Sequence, residues 1–344
     1  MDESIQRGNR STDVEAISHA KAEGLQSTLP SDSRDTKDME TNTRVTAEHP
    51  PLTLLDSWLE ENKTCNNSSP RYCHLLFRKK DTIDPDVYNE LYTYIDHAHE
   101  GARQALRAPL EDSLHPLHYG THADPAYGYP HKLNRTALQG FFGEIFAGIV
   151  AEYYASDEER RWEVPVHLFR THVVAFQQLE VMKQTDDWDR QIVGRTGDDG
   201  LAFARDDDGR IVAWLACEAK CTCTHSARLI ADNHKKLSQP INRPVDLIRV
   251  IVALKDYRDD QYARDWISAL QQFYWDTQGD SDAIRCDLAV YVCGQAPSRQ
   301  ESWIPVNRPH PHYTGNRELT AAELHLPNVE DIIEFLYGRM EASS

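Results

Sequence analysis

The most informative hydrophobic pattern is a pair of apolar runs on either side of Asp208-Gly209. The run LAFA precedes this pair and the run IVAWLAC follows it. Asp-Gly between two such runs indicates a two-residue hairpin turn, because both central positions of that turn need a positive φ. The pattern therefore predicts two antiparallel strands joined at residues 208 and 209.

A turn at these two residues decides which side chains face each other along the hairpin. Near the turn, Arg205 would face Val212. At the open end, Asp199 would face Glu218. Directly opposed residues share one face of the sheet, with Cβ atoms about 4.5 to 5.5 Å apart. Lys220 projects from the same face as Glu218, since side chains repeat every two residues along a strand.

Two opposed carboxylates predict a cation between them, because they repel each other and a covered sheet does not solvate them. Mg²⁺, or Mn²⁺ in its place, suits such a site, since Mg²⁺ takes oxygen ligands and keeps positions for water and phosphate. We expect Asp199, Glu218 and the carbonyl of Ala219 to bind the ion. Lys220 would hold or help to deprotonate the attacking water and screen charge on a scissile phosphate.

At these residues the chain resembles the PD-(D/E)xK nuclease superfamily, whose fold is called restriction-endonuclease-like. Asp199 matches the first acid of the family, and Glu218-Ala219-Lys220 matches its ExK strand. The family usually adds an acid from a helix before the hairpin, and Glu144 in QGFFGEIFAGIVAEYY stands at that place. The resemblance covers roughly residues 130 to 295. It implies that Glu144 is a further catalytic acid, which binds the metal through water or supports a second ion.

The chain departs from the family pattern at one position, because no proline precedes Asp199. It has Gly197-Asp198-Asp199-Gly200 instead, which makes Asp198 a rival for the ligand role. In a regular strand Asp198 would point to the other face of the sheet, so Asp199 is the preferred ligand.

Apolar patterns predict the remaining elements of the chain. Before the hairpin they indicate a short helix in LTLLDSWLEEN, a strand in RYCHLLFRKK, an amphipathic helix in PDVYNELYTYIDHAHEGARQAL, a helix over 134–155 and one or two strands in EVPVHLFRTHVVAF. After it they indicate a helix in SARLIADNHKKL, a strand in VDLIRVIVAL, a helix in DQYARDWISALQQFYW, a strand in CDLAVYVCG and a closing helix in VEDIIEFLYGRM. This order predicts an α/β fold with a mixed central sheet flanked by helices and a small N-terminal α+β accessory region. It also resembles the restriction-endonuclease-like core.

Composition divides the chain into three parts. Residues 1–50 are polar and acidic with almost no periodic apolar positions, so we expect a disordered acidic tail. Residues 51–132 form the accessory region, and residues 133–344 form the nuclease domain that the resemblance implies. No apolar run approaches the ~20 residues of a membrane span, and the first residues do not resemble a signal peptide. We therefore expect a cytoplasmic protein without a membrane partner.

Charge favours a local nucleic-acid groove over a general one. The net charge of −18 is unfavourable for a protein that coats nucleic acid, because backbone binding depends on Lys and Arg. Between Ala219 and Arg249, however, six Lys and Arg residues stand against two Asp. Lys235 and Lys236 in this window are either phosphate contacts or a solvated helix end. Gln239 lies near the place where some exonuclease-like relatives keep a glutamine that contacts DNA.

Seven cysteines in a large chain without a secretion signal predict reduced thiols rather than a disulfide framework. Cys217, Cys221, Cys223 and His225 suggest a metal cluster, since some relatives in the superfamily carry iron-sulfur cysteines. Buried small side chains are the simpler interpretation, because CxCxH in one extended segment cannot surround a tetrahedral ion alone.

The sequence thus predicts a Mg²⁺-dependent or Mn²⁺-dependent deoxyribonuclease whose partner is DNA. Acidic accessory segments beside an ExK core also resemble bacterial anti-phage defence nuclease subunits, such as that of the Hachiman system. That resemblance implies defence or restriction against foreign DNA, beside a helicase or another subunit. A DNA-repair nuclease would look similar, and a homodimer is compatible with both. The alternative from another class is a catalytically silent nuclease-like subunit that acts as a binding scaffold for a partner protein.

Overall fold

The computed structural model of this chain describes residues 46–66, 68–82, 84–111, 124, 126–169, 199–241, 243–257, 259–276 and 282–342. These residues belong to one compact unit. The tail predicted for residues 1–50 lies outside them except for its last five positions, and so do Asp198 and the second half of EVPVHLFRTHVVAF. None of the described helices combines the length and the apolar character that a bilayer crossing requires.

Helices and strands follow one another in short groups along the described part of the chain. In order they are α1 Leu55–Trp58, β1 Leu59–Asn66, β2 Tyr72–Lys79, α2 Val87–Glu111, α3 Arg135–Val150, β3 Gly200–Arg205, β4 Ile211–Thr222, α4 Ala227–Leu237, α5 Leu247–Lys255, α6 Gln261–Asp276, β5 Ile284–Cys293, β6 Leu319–His325 and α7 Val329–Ala342. A π-helical turn over Ala151–Ala155 continues α3.

The strands form one six-stranded sheet in the order β1-β2-β6-β5-β4-β3. The four central strands are parallel, and the edge strands β1 and β3 are antiparallel to their neighbours. The α/β prediction of a mixed sheet flanked by helices is therefore confirmed at this level. Because β1 and β2 come from the predicted accessory region, the sheet continues across the predicted boundary at residue 132.

Helices cover both faces of the sheet, since most strands are apolar on both sides. On one face α2, α3 and α7 pack against a core that includes Leu215 and Leu288. On the other face α4, α5 and α6 pack against a core that includes Trp214 and Tyr291. Odd and even positions of β4 therefore face different helices. Glu218 and Lys220 occupy even positions, on the side of α4.

The β3–β4 hairpin has the register that the sequence predicts. Residues 200–204 face residues 213–217 in reverse order, and Phe203 lies opposite Trp214. At the open end, the backbone N–H of Asp199 donates a hydrogen bond to the carbonyl of Cys217 at 3.1 Å. The next residue of β4 is Glu218, so the hairpin brings Asp199 beside it.

The turn of this hairpin differs from the predicted one. The N–H of Gly209 donates to the carbonyl of Asp206 at 2.9 Å, and Gly209 has a φ of 78°. The turn is thus one residue longer than predicted, and Arg205 pairs with Ile211. The expected pairing of Arg205 with Val212 is wrong, because Val212 is the extra residue of a β-bulge. The longer turn and the bulge cancel, which keeps the register correct towards the open end.

Two predicted elements are wrong. The segment VDLIRVIVAL, predicted as a strand, forms α5. Its buried residues include Leu247, Val250 and Leu254, which follow the helical period, whereas Ile248 and Val252 are exposed. A run of apolar residues without clear alternation cannot distinguish a buried strand from a helix. Residues of LEEN that were predicted to end a short helix instead begin β1.

Strand β6, LTAAELH, was absent from the prediction although it is central in the sheet. Alanine and glutamate are uncommon in strands, and Glu323 is a charged residue in a fully covered position. Its carboxylate accepts hydrogen bonds from the backbone N–H groups of Trp303 and Ile304 at 3.0 Å and from His325 at 2.5 Å. These partners make a buried carboxylate tolerable at the centre of the sheet.

Cys65 and Cys73 form a disulfide between β1 and β2. They face each other directly in the antiparallel register, which places their side chains together. The expectation of reduced thiols is therefore wrong for this pair, while the other five cysteines are free.

Candidate functional site

The open end of the β3–β4 hairpin brings together three of the predicted site residues. Lys220 Nζ lies 2.5 Å from Glu218 Oε1 and 3.5 Å from Asp199 Oδ2. Asp199 Oδ2 also accepts a hydrogen bond from the N–H of Ala219 at 3.1 Å, which holds this carboxylate against β4. Lys220 thus lies within ion-pair distance of both Asp199 and Glu218.

A second lysine, Lys236 of α4, joins this group. Its Nζ contacts Glu218 Oε2 and lies 3.3 Å from Asp199 Oδ1. Each carboxylate therefore meets both ammonium groups, one through each of its oxygens. We call Asp199, Glu218, Lys220 and Lys236 the acid–lysine quartet. The sequence predicts Lys236 only as a phosphate contact or as part of a solvated helix end, so its contact with both acids is new.

Asn233 fixes α4 against the sheet and thereby positions Lys236. Its buried Nδ2 donates to the carbonyl of Glu218 at 3.3 Å and to that of Val290 at 2.9 Å. Ser226 starts the helix by accepting a backbone hydrogen bond with its side chain. Lys236 follows Asn233 by three residues, so both side chains lie on the same side of α4. The sequence prediction does not include Asn233.

The quartet combines buried acids with more accessible lysines. The side chain of Glu218 is 2% exposed and that of Asp199 is 13% exposed, against 27% for Lys220 and 33% for Lys236. Burial, and after it the nearby Asp199, raises the pKa of Glu218 to about 8, although both lysines act in the opposite direction. Burial would lower the pKa of Lys220, but Glu218 and Asp199 outweigh it and raise that pKa. Glu218 therefore favours further positive charge nearby, and Lys220 keeps its proton.

The oxygen atoms of the quartet suit a hard divalent cation. Two carboxylates and the carbonyl of Ala219 offer the ligand type that Mg²⁺ prefers, with other positions free for water and phosphate. The Ala219 carbonyl accepts a hydrogen bond from Lys220 Nζ at 3.0 Å, so it lies at the same corner of the group. Within the described residues, no set of three or more His, Cys, Asp or Glu side chains is gathered to hold a metal ion. An ion here would depend on two acids, one carbonyl, water and substrate.

Glu144 lies on α3, which packs on the other face of β4. Gly143 approaches β4 so closely that a Cβ on it would lie 3.2 Å from the Cβ of Cys221, an odd position. The charge of Glu144 acts on Tyr337, whose pKa is raised well above its usual value, mainly by burial. The metal role of Glu144 stays a prediction.

The two other predicted DNA contacts lie at the surface. Lys235 is exposed on α4 next to Lys236, and the side chain of Gln239 is exposed just after the helix. The carbonyl of Gln239 accepts hydrogen bonds from Arg285 at 3.2 Å and from Arg317 at 3.3 Å, which fix the backbone there. Both side chains are thus accessible to a ligand that reaches the quartet along α4.

Comparison with models of known protein families gives no match for this chain, and comparison with the sequences of curated proteins gives none either. The function therefore has to be inferred from the chemistry of the acid–lysine quartet.

Proposed function

We propose that this chain is a metal-dependent nuclease that hydrolyses phosphodiester bonds in DNA. The observation that carries the proposal is the pair of opposed carboxylates, Asp199 and Glu218, next to Lys220 in the ExK spacing. Two like charges buried together repel each other and lose hydration, so their proximity requires compensating positive charge. Lys220 and Lys236 supply it in the free chain. A divalent ion held jointly by both acids would supply it when substrate is bound.

Each residue then has a distinct task. Asp199, Glu218 and the Ala219 carbonyl would hold Mg²⁺ or Mn²⁺. A bound ion of this kind would lower the pKa of a coordinated water and polarise the scissile phosphate. Lys220 would hold or help to deprotonate the attacking water and screen charge on the scissile phosphate. In the chain without an ion, Glu218 and Asp199 outweigh burial and raise the pKa of Lys220.

Exposed basic residues of α4 extend the site towards a nucleic-acid backbone. Arg228 is 89% exposed and Lys235 is also exposed, so both can contact phosphates without breaking a buried interaction. Gln239 follows on the same segment. Such contacts supply affinity without sequence specificity.

Cleavage of supercoiled plasmid by the purified chain with Mg²⁺ or Mn²⁺ tests the proposal. We expect nicking that a chelator abolishes. Asp199→Asn and Glu218→Gln should each lower it by at least about 100-fold, since loss of a residue that merely supports a metal ligand already costs about 10- to 100-fold. Asp207→Asn, an exposed acid in the turn of the same hairpin, is the matched control and should keep full activity. Inactivity on every form of DNA and RNA would contradict the proposal.

The biological setting that we propose is defence or restriction against foreign DNA beside a helicase or another subunit. It is what the resemblance of the acidic accessory segments and the ExK core to defence nuclease subunits implies. A DNA-repair nuclease would use the same chemistry. Plasmid transformation or phage infection of cells that carry the natural chain or Glu218→Gln distinguishes the two settings. Only a defence enzyme would lower the efficiency with which foreign DNA transforms or infects the cells.

One observation favours the second candidate, a silent nuclease-like scaffold. Both acids of the quartet already contact two ammonium groups without a metal ion. In a scaffold these ion pairs would only join α4 to the hairpin. Such a protein would bind no divalent ion at the quartet, with or without DNA.

A further inference from the structure

The quartet contains one more lysine, Lys236, than the ExK pattern requires, and this lysine affects metal binding. On the basis of the proposed nuclease function, we propose that Lys236 competes with the metal ion for Asp199 and Glu218. In the free protein Lys236 would keep the affinity for the ion low. The ion would bind tightly only together with a phosphodiester, which gives the displaced ammonium group a new partner.

Charge balance is the first reason. With Glu218 ionised, two carboxylates and two ammonium groups sum to zero around a Glu218 side chain that is only 2% exposed, and with Glu218 protonated they sum to +1. A divalent ion added alone would leave at least two uncompensated positive charges in a poorly solvated space, which is unfavourable. A phosphodiester brings negative charge into the same space. Metal and DNA backbone therefore favour each other's binding.

Geometry is the second reason. Lys236 Nζ touches both acids at the oxygens that Lys220 leaves free, so it occupies one side of the position between them. Its side chain is 33% exposed and has a long flexible stem, which gives the ammonium group a path towards solvent. Asn233 anchors the helix backbone independently of Lys236. The side chain can therefore leave the acids while α4 stays in place.

Titration of the full chain with Mn²⁺ alone, followed by electron paramagnetic resonance of the free ion, tests the inference. Lys236→Gln should bind Mn²⁺ about tenfold or more tightly than the natural chain, because a unit charge about 4 Å away outweighs a factor of ten at an effective dielectric constant near 20. Lys255→Gln, which removes the same charge from an exposed position at the end of α5, should not change the affinity. Lys236→Arg keeps the charge and should retain weak binding.

A second arm adds a short DNA duplex with phosphorothioate linkages, and the Mn²⁺ taken up by the duplex alone is subtracted. The natural chain should gain Mn²⁺ affinity when the duplex is present, and Lys236→Gln should gain much less. Thermal melting verifies that each variant is folded. Equal Mn²⁺ affinity of the natural chain and Lys236→Gln would overturn the inference. If plasmid nicking nevertheless persists, the nuclease function survives that result, whereas absence of both Mn²⁺ binding and nicking refutes both proposals.

Discussion

Lys220 offers the sharpest separation of catalysis from stability in this protein. Replacement by methionine keeps most of the side-chain volume and removes the ammonium group that meets Glu218 at 2.5 Å and the Ala219 carbonyl at 3.0 Å. If Lys220 stabilises charge that develops during hydrolysis, its loss should lower kcat about 10²- to 10³-fold, or about 2.7 to 4 kcal/mol. KM for DNA should change little, because the contact is made at the reacting group.

The effect of Lys220→Met on folding should be much smaller. The lost hydrogen bonds involve charged groups, which are worth about 1.5 to 3 kcal/mol, but the lysine side chain is partly exposed and Lys236 still compensates Glu218. We expect a loss of about 1 to 2 kcal/mol in unfolding free energy. That corresponds to a drop in Tm of roughly 2 to 4 °C for a unit of this size. The variant therefore stays folded at 25 °C, and unfolding cannot explain a 100-fold loss of rate.

The assay is plasmid nicking at several DNA concentrations, with melting curves of the same samples. Lys255→Met removes an exposed lysine at the end of α5 and serves as the control. Cleavage by Lys220→Met within about threefold of the natural rate would refute a catalytic role. A raised KM with unchanged kcat would assign Lys220 to ground-state binding of DNA instead.

Two further predictions concern the supports of the site and of the sheet. Asn233→Ala should weaken the attachment of α4 to the sheet, because it removes two hydrogen bonds worth about 1 kcal/mol each. The Tm should fall by a few degrees, whereas the neighbouring Asp232→Ala should leave it unchanged. Glu323 is buried, but hydrogen bonds from His325, His74 and backbone N–H groups outweigh burial and hold its pKa well below the usual range. Its contribution to stability is thus present above the unfolded pKa of about 4.3 and is lost as pH falls below it. Glu323→Gln should lower the urea midpoint near neutral pH and flatten its fall in acid, and an unchanged midpoint would contradict this account.

The sequence could predict those parts of the fold that depend on local pattern. The hairpin register followed from one turn signal, and it held because a bulge at Val212 offsets the longer turn. The sequence does not predict elements whose residue preferences conflict with their structure. Strand β6 contains Ala and Glu323, and Glu323 is stabilised by partners from residues 302–304, which lie outside any helix or strand and 19 to 21 residues earlier in the chain. Segment 247–255 is apolar on nearly all sides, so its helical period is hidden.

The site divides in the same way. Asp199, Glu218 and Lys220 share one hairpin, so strand geometry alone brings them together. Lys236 enters through packing of α4, which depends on the buried amide of Asn233. Asn233 lies on the apolar face of the helix, beside the buried residues Ile230 and Leu237. A polar residue on that face is the signal in the sequence that could have indicated its structural role.

The most direct test of the central claim is the number of Mn²⁺ ions bound per chain in the presence of DNA, above the amount bound by the DNA itself. The account predicts at least one such ion in the natural chain and its loss in the double variant Asp199→Asn, Glu218→Gln. Binding that is absent from the natural chain, or equal in the double variant, would show that these two acids do not form a metal site.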